Sequence, residues 1–188
     1  MRVTLPDGSE KQFDQSITAA ELAASIGKRL AKAAIAAKID GQLVDLDTPI
    51  PDGANASIVT ESDTDPDALY VIRHSTAHVM AEAIQQLHPQ ARLAYGPPVE
   101  NGFYYDIDFQ TPLSTEEFAE IEKRMQQIIA EQRPFTRYEM NTEEGMRKLE
   151  AEANPYKIDN AQRALEADAD AKLSWYATGT PGEHWEDL

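Results

Sequence analysis

Ala34-Ile35-Ala36-Ala37-Lys38-Ile39-Asp40-Gly41-Gln42-Leu43-Val44-Asp45-Leu46 reads as two short apolar runs joined by Asp-Gly. Asp-Gly readily supplies the positive-φ residues of a two-residue hairpin turn, so the stretch is strand, turn, strand. Just upstream, Thr18-Ala19-Ala20-Glu21 is a capping box. The Thr18 hydroxyl can accept from the third-residue amide while Glu21 reaches back to the cap amide. The helix so opened runs through Leu22 to Ile26 and stops at Gly27, expected as a left-handed C-terminal residue. Further upstream, Arg2-Val3-Thr4-Leu5 alternates polar and apolar, Pro6-Asp7-Gly8-Ser9 is a turn, and Glu10 to Phe13 returns as a second strand. Downstream, Ala56-Ser57-Ile58-Val59-Thr60 gives a last short strand.

The order is β-β-α-β-β-β, with one helix against a mixed sheet, which is a β-grasp (ubiquitin-like) pattern. Glu61-Ser62-Asp63-Thr64-Asp65-Pro66-Asp67 is acidic, polar and Pro-containing, and reads as a linker. Two domains are therefore expected, 1–62 and 63–188, with an α+β fold class overall.

The second unit opens with a helix from about Asp67 to His88, whose apolar stripe is Ala77, Met80, Ala83, Ile84 and Leu87. Asn101-Gly102, ahead of Phe103-Tyr104-Tyr105-Asp106-Ile107-Asp108-Phe109, marks another hairpin. Ser114-Thr115-Glu116-Glu117 is a second capping box. It starts an amphipathic helix with Phe118, Ile121, Met125, Ile128 and Ile129 on one face, ended by Arg133-Pro134. Phe135–Met140 reads as a strand, 143–152 as a helix, Leu173–Thr178 as a strand, and Glu186-Asp187-Leu188 as the start of another. A mostly antiparallel sheet with packed helices follows.

At 188 residues and 41% hydrophobic content, the chain can bury a core. No apolar run reaches the ~20 residues of a membrane span, and the first residues lack a signal peptide's apolar region. No membrane partner and a cytoplasmic location are expected. Cysteine is absent, which excludes disulfides, Cys-ligated zinc and a thiol nucleophile within these residues. Net charge is −16, about −3 in the first 62 residues and the rest beyond them. So acidic a chain is no general phosphate-backbone binder, and any contact with nucleic acid must be local.

The sharpest local motif is Arg73-His74-Ser75-Thr76-Ala77-His78. His74 and His78 are four apart and share a helix face, roughly 120° around from the centre of the Met80-Ile84-Leu87 stripe. Two such imidazoles can bind a metal or move protons near neutral pH. Spacing alone favours the plainer reading, two semi-exposed polar residues on a helix. His88 ends a helix, and His184 lies in a turn from which it can approach the pair. Tyr104 and Tyr105 alternate, one ring in and one out. Lys157, after the turn Asn154-Pro155, is a solvated charge or, in a cleft, a partner for phosphate or carboxylate.

Taken in order, Ile72-Arg73-His74-Ser75-Thr76-Ala77-His78, Gly96-Pro97, Asn101-Gly102-Phe103-Tyr104-Tyr105-Asp106 and Pro155-Tyr156-Lys157 resemble the N-terminal half of bacterial threonyl-tRNA synthetases. The first 60 residues resemble the TGS domain that begins those enzymes. The resemblance implies that the second domain is an editing domain, which hydrolyses serine mischarged onto tRNA(Thr). One methyl group discriminates by only about 1–3 kcal/mol, so a second, hydrolytic sieve is needed. His74 and His78 then match the family's paired editing histidines, and Lys157 and Asp187 complete the implied catalytic set. Tyr104 and Gly96 fall on the substrate side.

A histidine would position or activate water, or protonate the departing ribose oxygen. Lys157 would stabilise developing negative charge or the tRNA 3′ end, and Asp187 would hold a protonated partner or the substrate ammonium. The family continues beyond Asp-Leu into Cys-x-x-x-His, whereas this sequence stops at Asp187-Leu188. The expectation is therefore an N-terminal fragment, impaired or inactive in editing. No metal or cofactor is expected in it. ATP, Mg and Zn belong to the absent aminoacylation core, through which the full enzyme forms a homodimer. The expected partner is the acceptor end of tRNA(Thr). Two alternatives are a non-catalytic tRNA- or protein-binding module and a free-standing editing hydrolase of the alanyl type.

Overall fold

The computed structural model describes residues 1–62, 64–168 and 171–188. They fall into two compact units, Met1–Arg73 and His74–Leu188.

In the first unit, β1 (Arg2–Thr4) and β2 (Glu10–Gln12) form an antiparallel hairpin. A second sheet has β3 (Ala34–Ile39) between β4 (Gln42–Val44) and β5 (Ala56–Thr60), both antiparallel to it. Asp40 and Gly41 take positive φ in the turn joining β3 to β4, as the sequence requires. A parallel bridge from Thr4 to Asn55 joins the hairpin to β5's approach. Helix α1 (Ala19–Ile26) carries the full Thr18–Glu21 capping box and buries Leu22 with Val3, Ile17, Ile39 and Ile50.

One detail differs from expectation. Gly27 is extended, at φ 169°, rather than left-handed. The chain does not leave the helix there but kinks into a second, six-residue helix, α2 (Lys28–Ala33). Its Lys/Arg-rich sequence buries nothing, so no periodic apolar stripe announces it.

The long helix α3 (Pro66–Leu87) starts with Asp65 accepting from the amides of Asp67 and Ala68, and with Pro66 in its first turn. Ala68 and Val71 pack on Ala36, Val59, Ile35 and Leu43, and Lys38 pairs with Asp67.

In the second unit, β6 (Arg92–Tyr95) pairs antiparallel with β9 (Asp106–Asp108), and the short strands β7 (Pro98–Val99) and β8 (Gly102–Phe103) form the hairpin tip between them. Ser114 caps a 3-10 turn that leads into α4 (Phe118–Ala130). Ile121, Ile128 and Met125 of α4 pack on Val79, Ala83 and Ile84 of α3. Phe118 and Ile129, expected on that buried face, are exposed, because the packed stripe is narrower than the helix's apolar arc.

A three-stranded antiparallel sheet has β11 (Leu173–Thr178) between β10 (Phe135–Met140) and β12 (Glu186–Asp187). Leu173, Trp175 and Ala177 of β11 are buried, and the first two join Leu149 and Ala161 in one core. Those residues come from α5 (Thr142–Glu152) and α6 (Pro155–Ala167). Tyr176 and Thr178 turn to the opposite face. The α5–α6 break is made by left-handed Ala153, then by Asn154 capping α6 with Pro155 in its first turn. The whole is α+β, a β-grasp unit followed by helices packed on antiparallel strands.

Candidate functional site

Both histidines project from α3. Their Nε2 atoms lie 3.2 Å apart and their ring centroids 4.7 Å apart. The Tyr176 ring stands 5.6 Å from each. Phe135 and Trp185 complete the enclosure of His78, at 6.3 and 5.8 Å. His78 is only 7% exposed, so the reading of two half-exposed polar residues fails for it. Its Nδ1 is buried without a hydrogen-bond partner. Burial, then the neighbouring His74, lowers the His78 pKa from 6.5 to about 4; Asp187 opposes the shift and Lys157 adds to it. His78 is therefore neutral at pH 7.

Asp187 lies opposite Tyr176 in the β11–β12 register, so the two share a sheet face. Its Oδ2 accepts from Lys157 Nζ at 2.7 Å and from the Tyr105 hydroxyl at 2.5 Å. Lys157 Nζ also donates to the Leu188 carbonyl at 3.2 Å. Lys157 and Asp187 are 4% and 8% exposed, so this is a buried ion pair. Lys157 stands in the first turn of α6, where the helix dipole disfavours a cation. The Asp187 carboxylate supplies the compensating charge. Asn154 Nδ2 and Asn160 Nδ2 donate to the carbonyls of Leu93 and Ala94, tying α6 to β6.

Gly96 leaves β6 beneath the Tyr105 ring. A Cβ there would come within 2.4 Å of that ring, so glycine is what lets the ring lie on the backbone. Burial, followed by the charge of Asp187 and the hydrogen bond to it, pushes the Tyr105 hydroxyl far above the usual phenol pKa.

The structure thus gathers His74, His78, Lys157, Asp187 and Gly96 around one centre. Tyr104 is 46% exposed, and the hydroxyl that meets Asp187 belongs to Tyr105. Strand alternation predicts one inward ring, and only the three-dimensional register says which. His184 is engaged within its own turn. Its Nδ1 accepts from the Thr180 amide at 3.0 Å, and its ring sits against Gly179; the next residue, Trp185, is the one that reaches His78. Tyr176 and Trp185 are not singled out by sequence, where an aromatic in a strand reads simply as core. Among the described residues, no group of three or more His, Cys, Asp or Glu side chains is placed to hold a metal ion. No helix of the described residues is long and apolar enough to cross a membrane.

The arrangement offers a neutral buried imidazole paired with a second one, beside a buried ammonium–carboxylate pair. It can orient a water molecule and hold a polar, charged substrate end.

Residues 1–60 match the TGS domain family. A threonine-tRNA ligase of Geobacter sp. (strain M21) is 44% identical over 95% of this chain and 27% of its own length. One from Burkholderia multivorans is 43% identical over 88% of this chain and 26% of its own. One from Halorhodospira halophila is 51% identical over 72% of this chain and 21% of its own. The chain thus spans about a quarter of the length of the curated relatives it matches. It opens with a TGS domain and corresponds, over most of its length, to the N-terminal region of threonine-tRNA ligases.

Proposed function

We propose that the His74–Leu188 unit is the editing module of a threonine-tRNA ligase, hydrolysing serine esterified to tRNA(Thr). The carrying observation is the close His74–His78 pair, held beside the buried Lys157–Asp187–Tyr105 cluster. Ester hydrolysis needs a placed water, an acceptor for its proton and a donor for the departing ribose oxygen. With a pKa near 4, His78 is the wrong residue to deliver a proton at pH 7. Its role is to hold His74 in place through the Nε2–Nε2 hydrogen bond, while His74 orients the water and exchanges its proton. The Lys157 ammonium stabilises negative charge developing on the substrate or near the 3′ end. Asp187 holds Lys157 and the Tyr105 hydroxyl in place and faces the substrate ammonium. The acidic surface fits a module that receives the 3′ end while tRNA affinity comes from elsewhere in the protein.

The test is deacylation of seryl-tRNA(Thr) and threonyl-tRNA(Thr) by the ligase that carries this chain. Replacing both histidines by alanine should slow release of serine by at least ~100-fold and leave threonylation unchanged. Wild-type release of serine by the double variant would remove the reading. Seryl-tRNA binding with no turnover, unchanged by His74→Ala, would favour a binding module instead.

A further inference from the structure

Glu82 is one helical turn beyond His78 on α3, and His74, His78 and Glu82 share one face. It is 1% exposed, and its charge is spoken for on every side. Arg133 Nη2 donates to Glu82 Oε1 at 2.7 Å, and Gln86 Nε2 donates to the same oxygen at 2.8 Å. Glu82 Oε2 accepts from the Thr178 hydroxyl. Arg133 Nη1 donates to that hydroxyl oxygen at 3.0 Å and to the Thr178 carbonyl. One residue from α3, one from the segment ahead of β10 and one from the end of β11 thus close a buried polar triangle. Next to it, Trp185 Nε1 donates to Gln85 Oε1 at 2.7 Å, fixing the indole that walls His78. Thr178 is two residues from Tyr176 and on the same strand face, so the triangle spans the helix and strand that meet at the histidine pair.

We propose that Glu82, Arg133 and Thr178 are positioning residues that lock α3 onto β11, holding His74 and His78 against Tyr176 and sealing His78 from water. The inference rests on the editing reading for its purpose, but its test reads the imidazole directly. The groups that face His78 are His74 on α3, Tyr176 on β11, Phe135 on β10, Trp185 before β12, Asp187 on β12 and Lys157 on α6. None of them is substituted when the triangle is cut, although the Thr178 hydroxyl also donates to the Trp185 carbonyl at 3.3 Å, which Arg133→Lys leaves in place.

The experiment is an NMR titration of the histidine rings in this chain from pH 8 to 5, a range that stays above the pI of about 4.5. In the wild type, the His78 signals should stay unmoved across that range. Thr178→Val keeps the side-chain shape but removes the hydroxyl; there, His78 should titrate inside the window, a rise of at least tenfold in its protonation constant. Thr178→Ser should restore the silent ring. Arg133→Lys keeps the charge but not the two-pronged grip, and should behave like Thr178→Val. If these variants are folded and His78 remains unmoved, or if only thermal stability falls, the positioning role is wrong. Either result stands independently of whether the ligase edits.

Discussion

The Nε2 atoms of His74 and His78 face each other across 3.2 Å, in a site closed over by Tyr176. At that separation only one hydrogen can lie between them. Two imidazolium charges there would repel by about 5 kcal/mol at an effective dielectric of 20. With at most one hydrogen between the two rings, the chemistry of the pair is that of a unit rather than of two separate rings.

That electrostatic state predicts a pH dependence of stability. His78 titrates near 6.5 when unfolded and near 4 when folded, so the unfolded chain binds the extra proton first. Stability from this group is intact above pH 6.5 and is lost as pH falls toward 4. Between pH 7.5 and 5 the loss should be about 2 kcal/mol. Urea unfolding at the two pH values checks it: His78→Gln should show a pH-dependent loss smaller by that amount. Equal losses in both proteins would sink the assignment.

The Lys157–Asp187 pair should be much more sensitive to half-removal than to full removal. Lys157→Met leaves the Asp187 carboxylate buried with only the Tyr105 hydroxyl, at a cost of about 3–5 kcal/mol. Lys157→Met combined with Asp187→Leu leaves no stranded charge and should recover more than half of that. A double-mutant cycle by chemical denaturation gives the comparison, and additive losses would contradict it.

Tyr105→Phe removes one hydroxyl and little volume. It should cost about 2 kcal/mol, because the hydrogen bond runs to a buried carboxylate. Tyr104→Phe, on an exposed ring, should cost under ~0.5 kcal/mol. Thermal denaturation of the two variants side by side separates them.

Gly96→Ala tests the floor under that ring. The new methyl would meet the Tyr105 ring at 2.4–2.8 Å, forcing the ring or β6 to shift. Overpacking of this kind costs about 1–3 kcal/mol, and the shift should show as a changed Tyr105 ring resonance. An unchanged resonance and unchanged stability would mean that the contact is not there.

Much of the fold is legible in the residues themselves. Asp40-Gly41 and the Thr18 and Ser114 capping boxes act locally, through backbone geometry and hydrogen bonds within four residues, so reading them needs no third dimension. The i, i+4 histidines declare their shared face for the same reason. Two helices escape. Short α2 has no apolar period, and Pro155, which opens α6, reads equally as the close of a turn. Asn154 ahead of Pro155 is the available signal, since a capping side chain before a first-turn proline marks a helix start. The choice of Tyr105 over Tyr104, the meeting of Tyr176 and Trp185 with the histidines, and the pairing of Glu82 with Arg133 depend on contacts between residues far apart in the chain. No local rule encodes them.

Strand β11 serves two masters by parity: Trp175 faces the core beneath α5 and α6, and Tyr176 faces the histidines. A substitution at either position injures one side. One residue inserted or deleted within Leu173–Thr178 would exchange the two rings, sending the indole toward the imidazoles and the phenol into the hydrocarbon interior. Along these six positions the gene can vary its letters far more safely than its length, and a frame-preserving indel here would be a lesion of folding and of chemistry in the same stroke.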